Sequence, residues 1–169
     1  RRQEPAPAPA GVGFVDGSLC AAQVALWNGA ASSDMLFPYL ERMDEAGFEA
    51  IDILDPDLSR LAVQRGENPL WLLRIAAQRL RKTPANVWVS ARCLLGSVPL
   101  GADLLELGIS HLATCGIRRI TCFDALNDVA AIEAIVRMCR SSGIEVSAAL
   151  VHVASRPSDD LYYRERAQF

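Results

Sequence analysis

Arg118 to Val153 reads RRITCFDALNDVAAIEAIVRMCRSSGIEVSAALVHV, and this stretch decides the fold. Arg118 to Phe123 is a short apolar run that ends in the polar turn Asp124-Ala125-Leu126-Asn127. From Asp128 to Ser141 the apolar positions Val129, Ile132, Ile135, Val136 and Cys139 recur at helical spacing, and Gly143 stops the helix. Glu145 to Val153 is apolar again. A strand, a helix of 10 to 15 residues and a second strand form one parallel β/α unit with a right-handed crossover.

The same rhythm runs upstream. Val12 to Val15 reads as a first strand ending at Asp16-Gly17-Ser18. Ser33 or Asp34 caps a helix carrying Met35, Leu36, Tyr39, Leu40 and Met43, and Gly47 closes it. Phe48 to Leu54 is the second strand, followed by a turn at Asp55-Pro56-Asp57. A helix begins near Asn68-Pro69, and Asn86 to Ala91 makes the third strand. A third helix spans Gly101 to Thr114, and one more is expected within Ser158 to Phe169. The strands are near-continuous apolar runs, as expected where both faces of a parallel sheet are covered. About five β/α units therefore form an α/β fold. Two architectures fit, a partial TIM-barrel-like run or a small doubly wound, flavodoxin-like open sheet. Five units are too few to close an eight-stranded barrel.

Residues 1–11 begin RRQEPAPAPA, a Pro/Ala-rich linker that favours extended polyproline geometry; residues 12–169 form the folded domain. The first residue is Arg1 and no charged-then-apolar leader follows, so the chain reads as a piece of a longer cytoplasmic protein. Formal net charge is -3, with 17 basic and 20 acidic residues well mixed. That balance offers no footprint for nucleic acid, and no apolar run is long enough to span a membrane. The five cysteines show no C-x-x-C pair, which points to reduced thiols.

In either architecture chemistry gathers at the carboxyl ends of the strands. No G-x-G-x-x-G and no Walker loop follows a strand. Asp16 and Asp124 stand at strand ends, where paired carboxylates suit a metal or acid-base work, although Asp there more often caps the next turn or helix. His111 falls within a helix and reads as an ordinary imidazole. His152 falls at the end of the fifth strand, facing the barrel, and Trp27, Trp71 and Trp88 read as packing residues.

With its flanking strand and helix, Phe123 to Asp128 (FDALND) resembles the fourth-strand segment of a known family. That family is the carboxyltransferase domain of pyruvate carboxylase, oxaloacetate decarboxylase and transcarboxylase, (β/α)8 barrels of the metallolyase superfamily. Phe14 to Ser18, Asp34-Met35-Leu36, Glu67-Asn68-Pro69 with Leu73-Arg74, Gly96 with Asp103, and Asp160 to Tyr163 are weaker echoes in the same order. The resemblance implies an Arg-Asp pair after the first strand, the Asp binding a divalent metal and the Arg contacting a 2-oxo acid. Cys20 and Ala21 stand at those places, and Ala cannot ligate a hard cation. Gln23 is a displaced survivor of the next signature, His-Gln. The family's third-strand Arg falls on Ser90, with Arg92 two residues on. The family's lysine and paired histidines belong to strands six and seven, beyond the units read here.

Two functional expectations follow from the resemblance. In the first, the chain is a catalytically degenerate, non-catalytic scaffold or interaction module, forming a homodimer or docking to another domain of its assembly. No cofactor is then expected. In the second, it is part of a split biotin-dependent carboxyltransferase acting on pyruvate or oxaloacetate. Biotin and a divalent metal would then take part, and Asp16, Gln23, Arg92 and Asp124 would line the pocket.

Overall fold

The computed structural model describes residues 11–25, 27, 29–152 and 163–164. Its elements are β1 (Val15–Asp16), α1 (Ser18–Ala25), α2 (Ser33–Asp44), β2 (Ala50–Leu54), α3 (Pro56–Gln64) and α4 (Pro69–Arg79), followed by β3 (Ala85–Ser90), α5 (Ala102–Thr114), β4 (Arg119–Phe123), α6 (Val129–Ser141) and β5 (Glu145–Ala149). All four strand pairings are parallel and the order is β1-β2-β3-β4-β5. A flavodoxin-like sheet would reverse direction, in the order 2-1-3-4-5. The sequential order is that of an arc of a (β/α) barrel, so the doubly wound alternative is overturned.

The elements form for local reasons. Asp55 accepts from Leu58 N, and Pro56 at the first helical position needs no donor partner there, so α3 starts at once after β2. The Asp55-Pro56-Asp57 segment is thus a helix start, not a turn. Asn68 with Pro69 starts α4 in the same way. α1 has no counterpart among the elements expected from sequence. β1 and β5 are shorter than expected, at two and five residues. The linker, Val153 and most of the tail lie outside the described residues; Tyr163 and Arg164 are helical.

Register sorts the side chains by face. Ile51, Ile53, Val87, Val89, Ile120 and Cys122 point toward the helices and are fully or almost fully buried. Asp52, Asn86, Trp88, Arg119, Thr121 and Phe123 share the opposite, concave face. That face is polar and internally bonded. Asn86 Nδ2 donates to Asp52 Oδ1 at 2.7 Å and to Thr121 Oγ1 at 3.0 Å, and Arg119 pairs with Glu49 at 2.9 Å. A buried carboxylate is tolerated only with such donors.

Two carboxylates clamp the helical layer. Asp44, buried at the end of α2, accepts from the backbone N–H groups of Arg81, Lys82 and Thr83 at 2.7–2.9 Å and so fixes the lead into β3. Glu67 takes a forked bond from Arg65 and a 2.6 Å bond from Ser33 Oγ, while Arg65 also donates to Gly29 O. No helix among the described residues is long and apolar enough to cross a membrane.

Candidate functional site

A cleft of about 580 Å³ opens at the carboxyl ends of the first strands. Asp52 comes from β2, Asp55 and Asp57 from the start of α3, Trp88 from β3, Phe123 from β4, and Cys20 and Ala21 from α1. Its lining residues include no Lys, Arg or His.

Asp52 forms the floor. It is 9% exposed, and its Oδ2 accepts from the Trp88 indole N–H at 2.9 Å while Oδ1 faces Asn86. Both donors are neutral, and Asp52 has no cationic partner among the described residues. Gly17 stands over it, because a Cβ there would lie 3.3 Å from Asp52 Oδ2 and crowd the carboxylate. Trp88 and Phe123 form an aromatic wall, ring centroids 6.2 Å apart. Burial first, then the charges of Asp57 and Asp52, push the Asp55 carboxyl above its ordinary range, against the opposing Leu58 N–H. Burial also holds the Cys20 thiol well above its ordinary range, with Asp55 and Asp52 adding to the effect. Cys20 is accordingly a neutral thiol, its Sγ directed to Asp52 O at 3.5 Å.

None of the four residues singled out by sequence is among those that line this cleft. Asp16 pairs in register with Ile51, on the helix side of the sheet, and its Oδ1 accepts from Ser18 N at 2.7 Å to start α1. Gln23 is fully buried on α1, its Nε2 donating to Ala31 O at 3.0 Å. Arg92 and Asp124 are brought together. Arg92 Nε donates to Asp124 Oδ2 at 3.3 Å and its Nη2 to Asp128 Oδ2, while Asp124 Oδ1 accepts from Leu126 N and Asp128 N. Asn127 sits at φ 54°, a conformation Asn tolerates, and its amide clasps Val151 through both N–H and C=O. His111 is exposed on α5, and His152, three residues beyond β5, packs its ring on Tyr163 at 4.4 Å.

Sequence reasoning placed Asp52 at a strand end without singling it out. It read Trp88 as a packing residue, which it is against Phe123, without its indole bond to Asp52. Both lie mid-strand, where the bland reading is core packing. Their meeting depends on the β2–β3 register, which no local motif encodes.

The sequential parallel arc with its strand-end cleft places the chain among segments of (β/α) barrels. It is 27% identical over 145 residues to a pyruvate carboxylase subunit of Methanocaldococcus jannaschii, covering 85% of this chain and 26% of that protein. It superposes on the carboxyl transferase domain of Rhizobium etli pyruvate carboxylase with oxamate and biotin at a TM-score of 0.86 and 13% identity, over 93% of this chain and 28% of that one. The complete multifunctional Rhizobium etli enzyme gives 0.86 at 15% identity, over 93% and 15% of the two chains. No protein-family model matches the sequence. The chain spans about a quarter of the length of the curated relative it matches.

Proposed function

We propose that this chain is a non-catalytic carboxyltransferase-like module that acts by packing against another chain, in the first instance a second copy of itself. The observation that carries this reading is electrostatic. The cleft lining carries Asp52, Asp55 and Asp57 and no Lys, Arg or His. Asp57 alone of the three pairs with a cation among the described residues, Arg60 at the rim, and the nearby strand-end guanidinium, Arg92, is already engaged by Asp124 and Asp128. A 2-oxo acid carboxylate placed about 6 Å from one such aspartate would meet a repulsion of about 3 kcal/mol at an effective dielectric of about 20.

A divalent metal does not fit the residues present. The resemblance places its carboxylate ligand at Ala21, and the described residues contain no group of three or more His, Cys, Asp or Glu able to hold an ion. The self-association surface is the β1 end of the sheet. Val12, Phe14 and Val15 are about half-exposed there, beside a two-residue strand that, among the described residues, is bonded only to β2. An open strand edge with apolar side chains is a template for pairing. Metal analysis and pyruvate titration of the purified chain test the reading: neither a stoichiometric divalent metal nor saturable pyruvate binding is expected. Either one would sink it.

One observation favours a second reading, a split biotin-dependent carboxyltransferase. The Arg92 side chain is 51% exposed at the β3 end, where a substrate-contacting arginine would stand, and the alignment covers only a quarter of the Methanocaldococcus protein. A partner chain would then supply the metal ligands and the remaining strands. Oxaloacetate decarboxylation by such a complex, abolished by Arg92→Ala, would establish this reading in place of the first.

A further inference from the structure

We propose that the strand-end cleft binds a small organic ammonium ion, an amine or methylated amine on a short apolar stem. This goes beyond the scaffold reading and does not depend on the oligomeric state.

Three features of the cleft converge on that chemistry. The first is Asp52. A carboxylate offers about four lone-pair positions, and Asn86 and Trp88 occupy two of them with neutral donors. The charge itself is nine-tenths buried, without a cation, and Gly17 leaves its Oδ2 edge uncrowded toward the cleft. Burying a charge is costly unless it is paired, and a cation entering from the cleft relieves that cost. The second feature is the aromatic wall of Trp88 and Phe123, which presents ring surface to an apolar stem and π-density to an ammonium group. The third is size. About 580 Å³ lies within the range of small-molecule clefts, and it is far more than a bare ion requires.

The distribution of carboxylates favours an organic cation over a metal. Asp52 lies on the floor, Asp55 caps α3, and Asp57 stands at the rim beside Arg60. They line an extended cleft and do not gather around one point, in keeping with the absence of a metal-ligand group among the described residues. An ammonium group on the floor would leave its stem against Trp88 and Phe123 and its far end near Asp57.

The test is a titration of the isotope-labelled full chain with n-butylammonium chloride. It follows the Trp88 indole N–H and the Gly17 and Gly96 amides by magnetic resonance. Sodium pyruvate and n-butanol are run beside it. Saturable shifts of those signals by butylammonium, and none by butanol, are expected. Asp52→Asn should weaken binding about tenfold, the loss of one charge-assisted contact. Asp52 also holds Asn86 and Trp88, so Phe123→Leu, which removes ring surface from the aromatic wall and breaks no side-chain hydrogen bond to Asp52, serves as a second variant, with a loss of about threefold. Silence at the three signals overturns the ammonium site alone, and so does unchanged affinity in both variants. Saturation by pyruvate at the same signals instead overturns the non-catalytic function.

Discussion

Arg92 Nε lies 3.3 Å from Asp124 Oδ2, and that bond ties the carboxyl end of β3 to that of β4. Asp124 is 4% exposed and also accepts from two backbone N–H groups, so it shapes the Phe123–Asp128 turn whether or not Arg92 is present. The FDALND segment, which carries the resemblance, is therefore explained by turn structure. Arg92 is different, since half of its side chain is in solvent.

Asp124→Ala should destabilise the fold by about 2 kcal/mol, because two turn donors lose their acceptor. Arg92→Ala should cost less than about 1 kcal/mol, the range of partly exposed ion pairs. Urea denaturation of the two variants distinguishes them. Equal losses would show that the ion pair, not the turn, holds the two strand ends together.

Asp44 sets an acid limit. Burial acts to raise its pKa, but the N–H groups of Arg81, Thr83 and Lys82, with the Thr83 side chain, outweigh it and hold the carboxyl below its ordinary range. The unfolded chain then takes up a proton first as pH falls. Stability is full above the ordinary Asp value of about 3.9 and drains as pH drops through the lower folded value. Glu67, lowered by Arg65 and Ser33 against its own burial, adds to the same slope. Thermal melts between neutral and acid pH should show the slope in the parent chain and a flatter one in Asp44→Asn. That variant should also be about 1–3 kcal/mol less stable at neutral pH.

All five cysteines are free. Burial pushes Cys122 up to about 12, with Cys139 and Asp124 adding, and pushes Cys139 up to about 11. With Cys20 raised as well and Cys115 buried, only Cys93 is partly open to solvent. A thiol reagent at mildly alkaline pH should label one cysteine quickly in the native chain and five after denaturation. Fast labelling of Cys20 would mean that the cleft opens more widely than the structure shows.

Most of the arc was legible from residue patterns. β2 to β5 and their long helices announce themselves through apolar runs, Gly stops and the Asn68-Pro69 start. α3 carried an equally good signal in Asp55-Pro56, but a dipeptide that starts helices also makes turns, and only the chain beyond it decides. α1 gave little warning, since Ser18–Ala25 is short, mostly apolar on all sides and without acidic residues in its first turn. The site was less legible for a different reason. Asp52 and Trp88 acquire meaning only when parallel register sets their strands side by side, and Gln23 turns inward because α1, absent from the residue reading, carries it into the core. Strand order, the one property that separates a barrel arc from a doubly wound sheet, has no local signature at all.

The β1 end makes the last prediction. Phe14 is 57% exposed, and its backbone oxygen accepts from Glu49 N at 2.8 Å, so the segment is held against β2 while its side chain projects outward. A Cβ on Gly13 beside it would meet the Glu49 carboxylate, so a side chain there would have to displace Glu49 from Arg119. The segment is thus fixed in place and presents an apolar edge, the combination that favours pairing over fraying. Light scattering across a dilution series should report a dimer that persists on dilution. Phe14→Lys should shift the chain to a folded monomer whose melting temperature no longer depends on protein concentration, because Phe14 contributes little to the core and a charged edge resists pairing. A parent chain that is monomeric at every concentration would remove self-association from the proposed function, and the partner would then have to be a different chain.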